Sequence, residues 1–62
     1  MAAKLAGYYD LIGKELGFQG RMKLAMLTKM SSTDAKSAAD NPVNIQLFEK
    51  SMGAIRKELG KP

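Results

Sequence analysis

The chain of 62 residues carries ten Lys or Arg against six Asp or Glu, a formal net charge of +4, with neither Cys nor His. A domain of about 60 residues buries only about 60% of its unfolded surface, so a single small helical domain over residues 1–62 is expected, marginal on its own. Without Cys there is no disulfide, thiolate metal site or Cys nucleophile, and without His the usual proton relay and the commonest transition-metal ligand are missing.

The apolar pattern is helical throughout, with no sustained period-two alternation. A first helix is predicted over residues 2–16, where Leu5, Tyr8, Tyr9, Ile12 and Leu16 recur at three- and four-residue steps on one face. Gly17 suits the residue that ends such a helix, and Phe18-Gln19-Gly20 reads as a short connection. Tyr8 and Tyr9 cannot both face the same core, so one of them belongs at a surface.

A second helix is predicted over 21–29. Met22, Ala25, Met26 and Met30 share a face, with Leu24 and Leu27 beside them. Ser31 is a suitable cap and Asp34 a favourable first-turn acid for a short polar third helix over 32–39. A Glu or Gln in place of Asp34 would complete a capping box. Asp40-Asn41-Pro42 is the strongest punctuation: Asn41 caps and Pro42 opens a fourth helix over 42–59. Its seam of Ile45, Phe48, Met52, Ile55 and Leu59 steps by three and four, and Gly60 supplies the stop. The expected fold is all-α, a compact small bundle of about four helices.

Little here suggests catalysis. No two of Asp10, Glu15, Asp34, Asp40, Glu49 and Glu58 sit three or four residues apart, so none forms a ready pair on one helix face. Gly13-Lys14 lacks the rest of a phosphate-binding loop. A non-enzymatic chain with no metal site and no small-molecule cofactor is expected. No apolar run approaches the ~20 residues that span a bilayer, and Met1-Ala2-Ala3-Lys4-Leu5 is not a secretory signal. A soluble, cytoplasmic protein with no membrane role follows as the expectation.

The charge is uneven. Residues 21–36 hold Arg21, Lys23, Lys29 and Lys36 against Asp34, or +3, whereas residues 1–20 sum to zero and the remainder to +1. A basic cluster supplies the sequence-independent part of phosphate binding. The same segment, about residues 22–41, resembles the helix-turn-helix DNA-binding family. Leu24-Ala25 would occupy the helix crossing, Met30 the apolar turn position, Ser31 the cap, and Ala35 and Ala38 the inward positions of the second helix. Lys29 stands where the family usually has a turn Gly, and Thr28 where an apolar residue is commoner. The resemblance implies DNA as partner. Ser32, Thr33, Lys36 and Ser37 would then face the groove, with Arg21, Lys23 and Lys29 on phosphates.

Met22, Met26 and Met30 also form an i,i+4 stripe. Core filling is the favoured reading of such a stripe in a chain short of aromatics. The alternative is a protein-interaction or self-assembling module without nucleic acid, since Met is over-used on surfaces that accept partner helices. The seam of the fourth helix and the small size suggest a homodimer in either case.

Overall fold

The computed structural model describes residues 4–60 and is all-helical. Helix α1 spans Lys4–Thr28, α2 Ser32–Ser37 and α3 Pro42–Leu59. The expected start at residue 2 lies outside the described residues.

Three helices stand where four were expected, and the reason is local. Gly17 alone leaves helical geometry, with φ 69° and ψ −155°, a combination essentially restricted to glycine. Phe18, Gln19 and Gly20 then resume the helix rather than forming a connection. The bend brings the two halves of α1 into contact. Twelve residues of straight helix would separate Tyr9 from Arg21 by about 18 Å. Instead Arg21 Nη1 donates to the Tyr9 carbonyl at 3.3 Å. Gly20 lies at the closest approach, where an added Cβ would stand 2.9 Å from Leu16 Cβ and 3.1 Å from Ile12 Cγ1.

After Thr28 the chain turns through Lys29, whose φ of 59° is left-handed. That turn presents the Met30 carbonyl to the buried Tyr9, whose hydroxyl donates to it. Thr28, itself buried, accepts from Met30 N at 3.3 Å and donates to the Leu24 carbonyl at 2.7 Å. A polar residue is therefore accommodated at this position because its hydroxyl is used on both sides.

Ser31 and Asp34 do form a capping box. Asp34 N donates to Ser31 Oγ at 3.1 Å and Ser31 N to Asp34 Oδ2 at 3.2 Å, so an aspartate reaches where a longer side chain was expected. Helix α2 stops at Ser37, short of the expected residue 39, because Ala38 is extended at φ −76° and ψ 151°. Asn41 caps α3 through Asn44 N at 2.8 Å, with Pro42 in the first turn. Gly60 ends α3 and its N–H bonds the Arg56 carbonyl.

Leu5, Tyr9, Ile12, Leu24, Ala35, Phe48, Met52 and Ile55 form the core, with Ile45 and Leu59 partly buried against it. The seam of α3 is thus consumed within the molecule, against α1, and is not the free surface that a dimer would use. Tyr9 is buried and meets Phe48 edge-on at 6.1 Å. Tyr8 is half-buried, stacks on Phe48 at 5.6 Å and donates its hydroxyl to Glu49 Oε2 at 3.1 Å.

Candidate interaction surfaces

The residues expected to contact nucleic acid do not share one environment. Arg21 is half-buried, with its guanidinium carbon 5.6 Å from the centroid of the Tyr9 ring. Lys23 donates to Glu58 Oε2 of α3 at 2.6 Å. Lys29, Thr33, Lys36 and Ser37 are exposed, whereas Ser32 is half-buried. Helix α2, which would be the recognition element, has six residues, fewer than two turns. Asp34 is occupied by its cap.

The methionine stripe divides. Met30 is partly buried against the core, whereas Met22 is 50% and Met26 71% exposed. Core filling therefore fails for two of the three. They are joined by Phe18 at 74% exposure, a residue of α1 rather than of the expected connection. Phe18, Met22 and Met26 sit at i, i+4 and i+8 on the C-terminal half of α1, so they form one ridge. The face that this half-helix turns inward is Gly20, Leu24 and Thr28, also at i, i+4 and i+8 and all buried. The two stripes are offset by two residues, or about 200° around the helix. One stripe meets the core and the other meets water.

With ~200 Å² for each large side chain, the ridge exposes roughly 400 Å² of mainly apolar surface. A patch of that size is near the largest found on ordinary monomers and is often functional. At its N-terminal end a shallow hollow at the bend is lined by Asp10, Gly13, Lys14, Gly17, Phe18 and Arg21. A second shallow hollow on α3, lined by Val43, Gln46, Leu47, Glu49 and Lys50, carries the exposed Val43.

The titratable groups with displaced pKa values act in packing. Burial raises the Tyr9 hydroxyl, opposed by Thr28 and by the positive charge of Arg21. Burial also raises Tyr8, helped by its bond to Glu49. Glu15 is held below the usual carboxylate value by Arg56, which donates Nε and Nη2 to its two oxygens, each at 2.7 Å. Among the described residues no group of three or more acidic side chains is placed to hold a metal ion, and no helix is long and apolar enough to cross a membrane. No protein-family model, curated protein or solved structure matches the chain.

Proposed function

We propose that this chain is a non-enzymatic helical protein-interaction module whose binding surface is the ridge of Phe18, Met22 and Met26. One observation carries the reading: the C-terminal half of α1 is apolar on the side opposite its core face, with side chains 50–74% exposed. A surface helix ordinarily turns one apolar stripe to the core and polar residues to water. Here a second stripe is left for a partner, while the first packs inward, with Gly20 against Ile12 and Leu16, and Leu24 in the core. Anchors at four-residue steps suit recognition of a helix or of the groove between helices.

Replacing Phe18, Met22 and Met26 together by Gln tests this. Unfolding free energy should change by less than about 0.5 kcal/mol per site, as for surface positions, while fluorescence of a bound apolar dye should be lost. A fall of several kcal/mol, or undiminished dye binding, would sink the reading.

A second reading, DNA binding by a helix-turn-helix-like centre, is favoured by Lys29. Its φ of 59° places a left-handed residue between α1 and α2 where that family has its turn glycine. On this reading Lys29, Thr33, Lys36 and Ser37 contact the duplex, with Arg21, Lys23 and Ser32 at its margin. Titration of labelled duplex DNA at two salt concentrations decides it, because several phosphate contacts require a steep salt dependence. A flat dependence would exclude it.

A further inference from the structure

We infer that the partner seated on the Phe18–Met22–Met26 ridge is an acidic amphipathic helix, one whose apolar seam is flanked by carboxylates. This inference rests on the ridge being a binding surface and adds the identity of its occupant. The support is the charge around it. Lys14 lines the hollow beside Phe18. Arg21 borders one side of the half-helix and Lys29 follows at its end, whereas Lys23 on the other side is paired with Glu58 and adds no net charge. Of the nearby carboxylates, Glu15 is held by both nitrogens of the Arg56 fork and Glu58 by Lys23. Asp10, in the same hollow as Lys14, is the remaining acid at this surface. The rim is therefore positive, and complementary charge at a rim selects a negative partner and rejects a positive one.

The same geometry disfavours a second copy of the chain. Antiparallel pairing of two ridges about Met22 would set Phe18 against Met26 of the partner subunit. It would also set Arg21 against Arg21 of the partner subunit on one side and Lys23 against Lys23 of the partner subunit on the other. Like charges would face each other on both sides of the seam. The area is also small: roughly 400 Å² of ridge lies below the about 800 Å² that each partner contributes to a standard stable interface, but it suits a single docked helix.

The test uses two synthetic 18-residue helices with the same Leu seam at three- and four-residue steps, one flanked by Glu and the other by Lys. Fluorescence anisotropy would follow each against the full chain at low and high salt. The Glu-flanked helix should bind at least tenfold more tightly at low salt, and the gap should narrow as salt rises. The double variant Lys14→Glu, Lys29→Glu should shrink or reverse that preference. The triple variant Phe18→Ser, Met22→Ser, Met26→Ser should bind neither helix while keeping its far-UV circular dichroism. Equal binding of both helices, lost in the triple variant, would overturn the acidic partner and leave the ridge as a binding surface. Binding of neither helix, or binding that survives in the triple variant, would overturn both. Sedimentation of the chain alone gives the remaining outcome: a dimer that the triple variant dissolves would replace the acidic helix with a second copy.

Discussion

Arg21 spans the bend in α1, placing its guanidinium over the Tyr9 ring and donating to the Tyr9 carbonyl at 3.3 Å. Tyr9 in turn donates to Met30 and touches Phe48, so one cation ties both halves of α1 to the residue that links the turn and α3. The same guanidinium therefore has a packing role within the fold. Arg21→Ala should cost about 1–2 kcal/mol, from the ring contact, the hydrogen bond and the packed stem. Urea unfolding measures it, and a loss near zero would show that the bend holds without the clamp.

The bend depends on Gly17. Gly17→Ala forces a Cβ into a conformation almost reserved for glycine and should destabilise by about 1–3 kcal/mol. Gly53, exposed within α3 and with nothing within 4 Å of an added Cβ, provides the contrast. There the same substitution should stabilise by about 0.5–1 kcal/mol through helix propensity. Thermal unfolding of the two variants should move in opposite directions.

Lys29 carries the second left-handed conformation. Lys29→Gly should relieve it and leave stability equal or higher by up to about 1 kcal/mol, part of the gain being offset by the freer unfolded chain. Thr28→Val removes the acceptor for Met30 N and should cost about 1 kcal/mol or more, because that site is buried. Equilibrium denaturation of both variants would check the account of this turn. A destabilised Lys29→Gly, or an unaffected Thr28→Val, would contradict it.

The Glu15–Arg56 fork makes stability pH-dependent. The folded carboxyl titrates below its ordinary 4.5 because of Arg56. Its contribution is therefore complete above the ordinary carboxylate range and is lost as pH falls through the lowered folded value. Both side chains are substantially exposed, 37% and 45%, so salt should weaken the effect. Carbon-detected NMR titration should show Glu15 moving back up in Arg56→Gln. An unchanged value would place the cause elsewhere.

Much of the fold was legible in the sequence, and the exceptions have physical causes. Helix α3 was readable to its boundaries because Asn41 and Pro42 mark its start and the seam from Ile45 to Leu59 is unbroken. The bend in α1 was misplaced by length: glycines at 17 and 20 read as the ends of a connection, yet Gly17 turns the chain alone and Gly20 serves a close contact. The ridge was misread because periodicity places residues on one face without saying whether that face is inside. The two competing stripes share the same four-residue step. Met22 and Met26 are more apolar than Gly20 and Thr28, so composition pointed to the wrong one. A buried glycine wins its place by fitting, and a buried Thr28 by using its hydroxyl. Phe18 is hidden from a sequence reading because it falls in the expected short connection between helices. Its spacing of four residues from Met22 was the signal that could have found it.

The most direct test of the ridge as a binding surface is a titration of the nitrogen-15-labelled chain with the Glu-flanked helix, followed by amide chemical shifts. The expected result is perturbation concentrated at residues 18–29, absent in the variant Phe18→Ser, Met22→Ser, Met26→Ser. Perturbation centred on α2 or on the outer face of α3, or an unchanged pattern in that variant, would contradict the assignment of the ridge.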